Sequence, residues 1–141
     1  MFNPTREDVR EMFFSAWRKY RAGQPVAGIE ALALEVILLH AEYHEALGEP
    51  DRTRDRDYVD ESNPFLHMSL HVALEEQLSI DQPPGIAARF QALRARFQDR
   101  HEALHQALEC LAETVWRAQR EGAPPDAAAY LDCLAARALR K

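Results

Sequence analysis

Apolar residues recur every three or four positions through most of this 141-residue chain, which is the period of an α-helix with one buried face. The first such face ends before Gly23 and Pro25, and its members are Phe13, Phe14, Trp17 and Tyr20. Thr5 resembles the start of a capping box for this helix. A second stripe predicts a helix from about Gly28 to Leu47. Strand signals do not recur anywhere in the chain.

The middle of the chain changes character twice. Residues 49–62 are mixed in charge and poorly periodic, which predicts a surface loop. Asn63 followed by Pro64 then indicates a helix start, and this third helix should run to about Ile80. From Phe65 to Leu74 its only polar residues are His67, Ser69 and His71, so we expect a central, buried helix.

The longest periodic stretch runs from Ile86 to about Arg120. It is consistent with one long helix, or with two helices if Asp99 caps a second one. Gly122 should end it, and a last helix should follow Pro124. The chain is therefore predicted to be all-α, a single domain over residues 1–141 built as an antiparallel bundle of five to six helices.

Composition narrows the class of protein. A net charge of −6 argues against non-specific nucleic-acid binding, because such binding needs a basic face. No apolar run is long enough to predict a membrane span. The charged first eleven residues do not resemble a secretory signal, so we expect a cytoplasmic protein. A protein partner or a homo-oligomer stays open.

The two cysteines, Cys110 and Cys133, lie far apart and outside any CxxC frame. This spacing favours neither a zinc knuckle nor a redox dithiol. In a cytoplasmic protein we expect them to be reduced thiols of the core.

The six histidines carry the candidate chemistry. They form three pairs of identical spacing, which are His40 with His44, His67 with His71, and His101 with His105. Chance predicts about 0.2 such pairs for this composition. On a helix, residues four apart lie on the same face, so each pair could close on one metal ion.

Burial and neighbouring carboxylates sharpen the metal hypothesis. Each pair lies on or beside an apolar stripe, and a buried imidazole needs a partner for its nitrogens. Glu75 and Glu109 continue two of the pairs by one more helical turn, as ligands or as groups that orient a ring. We therefore predict a mono- or dinuclear site for a divalent transition metal, with the six histidines, Glu75 and Glu109 as its residues. Iron, zinc or manganese would suit these donors.

Two other interpretations of the histidines are open. His101 to His105 also spells HExxH, the zinc-protease motif, but that interpretation explains neither of the other pairs. The histidines could instead form a metal-free polar network with Glu75, Glu109 and Tyr43 inside a protein-interaction module.

The reaction that a metal would serve is open as well, since iron would favour oxygen or redox chemistry and zinc a structural or hydrolytic role. Two carboxylates beside many imidazoles are more similar to haemerythrin-like bundles than to carboxylate-rich di-iron oxidases, which is an analogy of fold and ligands.

Several segments together resemble one family over nearly the whole chain. They are the opening FNPTREDVREMFF, HAEYH, NPFLHMSLHVALEEQ, the PPGI segment and HEALHQALECLAETVW. The chain is similar in them to a family of bacterial proteins known as a domain of unknown function, DUF1841. The resemblance implies a small, single-domain cytoplasmic protein of bacteria. It implies no activity, substrate or catalytic residue.

Overall fold

The computed structural model describes residues 6–53 and 63–139 of the chain. All regular structure in these two ranges is helical, which confirms the predicted all-α class. Thr5 and residues 54–62 lie outside the described residues, so the predicted cap and most of the charged loop do too. Within the described ranges, no helix has both the length and the apolar character needed to cross a bilayer.

Eight α-helices lie within the described ranges. They are α1 (Arg6–Arg21), α2 (Ile29–Leu38), α3 (His44–Leu47), α4 (Pro50–Thr53), α5 (Pro64–Ile80), α6 (Ile86–Phe97), α7 (Arg100–Glu121) and α8 (Ala127–Leu139), with a 3-10 turn at Ala41–Tyr43 before α3. This is a larger number of segments than the predicted five or six. The difference arises because the predicted second helix is broken after Leu38 and because Pro50–Thr53, within the predicted loop, form a short helix.

Helix α5 has the bounds that the sequence predicts. The Oδ1 atom of Asn63 accepts hydrogen bonds from the backbone N–H groups of Phe65 and Leu66. These bonds satisfy two of the N–H groups that a helix start leaves without an intrahelical partner, and Pro64 needs none. The predicted capping side chain is therefore confirmed.

The long periodic stretch is two helices, as the cap at Asp99 allowed. Gln98 adopts a left-handed backbone (φ 63°) that ends α6, and the Asp99 side chain accepts a hydrogen bond from the backbone N–H of His101. Gly122 then ends α7 with φ 63°, a conformation that glycine adopts without strain.

The single predicted helix from Gly28 to Leu47 is wrong. Helix α2 ends at Leu38, and the backbone of His40 has left the helical region (φ −127°, ψ 71°). Imidazole nitrogens of His40 and His44 bond the carbonyls of Val36 and Ile37 at 2.8 and 2.9 Å. The same two carbonyls also accept hydrogen bonds from the backbone N–H groups of Leu39 and His40, so the histidine side chains add a second bond to each carbonyl and stabilise the break.

The chain divides into two compact units, Met1–Val72 and Ala73–Lys141, and the division falls inside α5. In the first unit, α1 packs against α2. Its core is apolar and includes part of α5, with Phe13, Phe14, Trp17, Val36, Ile37, Leu47, Phe65, Met68 and Val72 among its buried members. That the two units form one antiparallel domain stays a prediction.

In the second unit, α6, α7 and α8 pack against one another in all three pairings. Leu93 of α6, Leu104 of α7 and Leu134 of α8 are almost completely buried. Each of the three helices therefore contributes apolar side chains to this core.

The prediction of reduced cysteines is wrong, because Cys110 and Cys133 form a disulfide. Their Cα atoms lie 5.9 Å apart, within the range that a disulfide requires. The bond joins α7 to α8. Helix α7 ends just before the turn near Gly122, and α8 begins just after it. Residues at similar distances from the turn therefore lie side by side.

Tyr130 provides a test of the second unit's packing. Its hydroxyl donates a hydrogen bond to Oε1 of Gln77 at 2.8 Å, and burial raises the pKa of Tyr130 above its ordinary value. Because the raised pKa belongs to the folded state, the stability it provides is complete below pH of about 10 and is lost as the pH rises further.

We expect Tyr130→Phe to lower the free energy of unfolding by about 1 kcal/mol at pH 7, since one hydrogen bond is lost. The difference between wild type and variant should shrink above pH of about 10, where ionisation destabilises the wild type alone. Urea unfolding at several pH values measures both effects. A difference that stays constant up to pH 11 would contradict this account of Tyr130.

Candidate metal centre

Three imidazoles meet in the first unit. His40 follows the end of α2, while His67 and His71 lie one turn apart on α5. The ring centroids are separated by 4.9 Å between His40 and His67, 4.6 Å between His40 and His71, and 4.8 Å between His67 and His71. One nitrogen from each ring lies within 4.8 Å of the other two. We call these three residues the histidine cluster.

The histidine cluster is largely shielded from water. His71 is 0% exposed and His40 is 2% exposed, whereas His67 is half-buried. Val36 lies four residues before His40, while Met68 and Val72 directly follow His67 and His71. All three belong to the apolar core of this unit. In such surroundings, polar interactions are stronger than they would be in water.

Hydrogen bonding sets the tautomer of His40. Its Nδ1 atom lies 2.8 Å from the carbonyl oxygen of Val36, and because a carbonyl only accepts, Nδ1 carries the proton. In the neutral ring, Nε2 then carries no proton and can accept a hydrogen bond or bind a metal. A backbone carbonyl that holds Nδ1–H is the usual outer partner of a histidine that binds metal through Nε2.

The lone pair of His40 meets the ring of His67. The two Nε2 atoms lie 3.1 Å apart. Without a metal, His67 donates its N–H to His40 across this distance. With Zn–N bonds of ordinary length, neighbouring ligands of a tetrahedral ion are about 3.3 Å apart. The observed spacing therefore fits either a proton or a metal ion between the rings.

Tyr43 lies beside the histidine cluster. Its ring stacks on His40 with a centroid distance of 5.4 Å and lies 6.1 Å from the ring of His67. Burial, and then the charge of Glu42, raise the pKa of Tyr43 above its ordinary value. The phenol is therefore neutral at physiological pH, and the residue supplies an aromatic wall.

His44 has a different environment from the predicted one. Its ring packs on Trp17 with a centroid distance of 4.3 Å, and its Nε2–H donates to the carbonyl of Ile37. The prediction that His40 and His44 share a helical face fails, because the helix ends before His40. A role for His44 as a metal ligand stays a prediction that this packing does not support.

His101 and His105 form the predicted pair on α7 in the second unit. Their rings lie 4.2 Å apart, as residues one helical turn apart should. Both side chains are half-buried. Glu102, the acid of the HExxH pattern, is exposed, and its Oε1 accepts a hydrogen bond from Gln106.

The sequence was also compared with known proteins. A family model described as a domain of unknown function, DUF1841, matches residues 5–136. The chain belongs to the DUF1841 family. This confirms the resemblance seen in the sequence segments. Searches of the curated proteins and of the solved structures found no match for the DUF1841 chain.

The two carboxylates predicted for the site form ion pairs in this DUF1841 protein. Glu75 pairs with Arg100 at 2.7 Å, and Glu109 pairs with Arg137. Glu109 is also well exposed. Each ion pair would have to be broken or shared before its carboxylate could bind a metal, so the positions favour neither as a ligand.

Sequence reasoning missed the two backbone carbonyls that orient the rings, those of Val36 and Ile37. The apolar spacing of the DUF1841 chain carries no signal for them, because the stripe continues through the break. Leu38 and Leu39, at the break itself, are exposed in the fold.

Proposed function

We propose that this protein binds a divalent transition-metal ion through His40, His67 and His71. The observation that carries the proposal is the approach of the two Nε2 atoms to 3.1 Å, with His40 held by the Val36 carbonyl. A fully buried third imidazole, His71, lies in contact with both rings. Three nitrogen donors with one ring already oriented form most of a coordination sphere.

The donor atoms favour some metals over others. Imidazole nitrogen suits zinc, iron, copper and nickel, while manganese prefers carboxylate and water oxygen. Because Glu75 and Glu109 pair with arginines, the three histidines point to zinc or iron more than to manganese. The same pairing gives no support to a carboxylate-bridged dinuclear site, so a mononuclear site is proposed.

The number of histidine ligands would decide the chemistry. Three protein ligands and one water are typical of catalytic zinc, whereas four protein ligands are typical of structural zinc. With three histidines, a zinc-bound water could act in hydrolysis, and iron with an open position could bind oxygen. A fourth histidine would favour a structural role. His101 and His105 stay in the proposal on the sequence pattern alone.

We expect at least one of His101→Ala and His105→Ala to weaken zinc binding on the order of 10-fold or more. Calorimetric titration of the two variants and the wild type with zinc measures this. If both variants bind zinc as the wild type does, the second unit contributes no ligand, and the three-histidine site with an open position stands.

A metal-free interaction module is the second candidate function. The observation that favours it is the same Nε2 contact, since a neutral His67 can donate to a neutral His40 without any ion. This candidate also includes hydrogen bonds between the histidines and the carboxylates. The pairing of Glu75 and Glu109 with arginines does not support those bonds. The two candidates differ in whether the purified protein contains metal.

Elemental analysis of protein purified without a histidine tag separates them. Cultures supplied in turn with iron, zinc or manganese should yield at least one ion per chain under one of these conditions. An absorption spectrum then distinguishes iron from zinc. Substoichiometric metal under every supply condition would contradict the metal proposal and favour the interaction module.

A further inference from the structure

The disulfide of the second unit lines a surface groove. The groove has a volume of about 270 Å³, and both Cys110 and Cys133 contribute to its wall. Cys110 is fully buried, whereas Cys133 is only half-buried. A reagent in the groove would therefore reach the bond from the side of Cys133.

The groove is acidic. Among the described residues that line it, four carboxylates face one guanidinium, that of Arg117, for a net charge of −3; the carboxylates are Glu113, Glu121, Asp126 and Asp132. Arg117 is already paired with Glu113 at 2.7 Å. The negative electrostatic potential of the groove attracts cations and repels anions. A thiolate is an anion, so the groove repels it unless its carrier is positively charged.

We propose that this groove is a thiol–disulfide exchange site, at which a dithiol that carries positive charge around its attacking thiol reduces the Cys110–Cys133 bond. The thiolate attacks Sγ of Cys133, and Cys110 leaves as a thiolate that takes up a proton. The second thiol of the reductant then attacks the mixed disulfide and releases Cys133. Two electrons pass from the dithiol, which becomes a disulfide, to the two cysteines.

Two features of the fold support this proposal. The bond closes the α7–α8 pair, so its reduction removes a covalent link between two helices of one core. The acidic wall provides selectivity, since a small anionic thiol would be repelled while a cationic one would be concentrated near the bond. The site is independent of the metal centre proposed for the first unit.

The test follows reduction of the folded, full-length protein by three small thiols. They are cysteamine, which is cationic, 2-mercaptoethanol, which is neutral, and 2-mercaptoethanesulfonate, which is anionic. Rates of thiol release are expressed per concentration of thiolate. The measured quantity is the rate with cysteamine divided by the rate with the sulfonate. At low ionic strength, we expect this ratio to be about 10-fold higher for the protein than for a small neutral disulfide. High salt should reduce this ratio.

Matched charge variants locate the effect. Asp132→Asn should lower the ratio several-fold, because Asp132 lines the groove. Glu102→Gln, the same loss of charge at an exposed position of α7 that does not line the groove, should leave it unchanged.

Three results would overturn the proposal. One is a ratio that is the same in wild type and Asp132→Asn. Another is a reduction rate that does not depend on thiol concentration, which would mean that unfolding precedes attack. The third is a protein that contains two free thiols after purification without reductant and cannot be oxidised.

Discussion

Replacing His71 with leucine should remove most of the stabilisation of this protein by zinc. Wild type that binds zinc in the folded state alone gains about 4 kcal/mol when free zinc is 1,000 times the dissociation constant. His71→Leu removes one of the three donors of the histidine cluster and should weaken zinc binding on the order of 100-fold, which leaves about 1.4 kcal/mol of stabilisation at the same zinc concentration. Leucine is apolar and of similar size, so it can fill the buried position. Thermal unfolding with and without zinc measures the effect.

His44→Leu is the matched control for this experiment. It removes a histidine of the same unit whose Nε2–H bonds the Ile37 carbonyl and whose ring packs on Trp17. Its melting temperature without zinc should fall, because these contacts are lost. The zinc-induced shift should remain as in wild type. The opposite outcome, a shift of wild-type size in His71→Leu and a smaller one in His44→Leu, would contradict the assignment of ligands.

Removal of the disulfide should lower the free energy of unfolding by about 3 kcal/mol, the value that chain entropy gives for a loop of this length. The bonded cysteines are 23 positions apart in sequence. We expect this loss in the double variant Cys110→Ala, Cys133→Ala, and the same loss in wild type after complete reduction. Urea unfolding followed by circular dichroism measures both.

The reducing agent itself provides the control for this prediction. Added to the double variant, it should leave the unfolding curve unchanged, since no disulfide remains. A double variant as stable as oxidised wild type would show that the cysteines are not bonded in solution. That result would restore the expectation of reduced thiols.

The sequence predicts the all-α class and most helix ends because these depend on local chemistry. Asn63 and Asp99 cap the helices that follow them, and Gly122 ends α7 with a left-handed backbone. Such signals involve residues only a few positions apart. They need no knowledge of how distant segments pack.

The break after α2 could not be predicted from periodicity, because the apolar stripe continues through it. The competing interactions are those of His40 and His44 with the carbonyls of Val36 and Ile37. A histidine at either position is compatible with a helix, and its choice of a backbone partner depends on tertiary packing. The side chains of His40 and His44 therefore stabilise the break that keeps these two residues from sharing a helical face.

The disulfide had a signal that could have been used. Cys110 lies 12 residues before Gly122 and Cys133 lies 11 residues after it, so a helical hairpin that turns near Gly122 brings them together. The expected location in a reducing compartment directed the interpretation toward free thiols instead. Cytoplasmic location stays a prediction, and in that compartment such a bond would be a redox-sensing one.

The sequence could not reveal that the two predicted carboxylates pair with arginines. Glu75 and Glu109 occupy the positions that a helical ladder predicts, but each accepts a hydrogen bond from an arginine that is distant in sequence, Arg100 or Arg137. An arginine competes well for a carboxylate, since its planar head donates several hydrogen bonds. Spacing along one helix cannot reveal a partner that another helix supplies.

The most direct test of the account is an anomalous scattering measurement at the zinc absorption edge on crystals of the zinc-loaded, full-length protein. We predict a peak about 2.0 to 2.1 Å from one nitrogen of each of His40, His67 and His71. In His71→Leu crystals grown the same way, this peak should disappear. A map in which zinc lies elsewhere, while His67 still donates its N–H to His40, would contradict the metal centre and leave the histidine cluster as a hydrogen-bonded core.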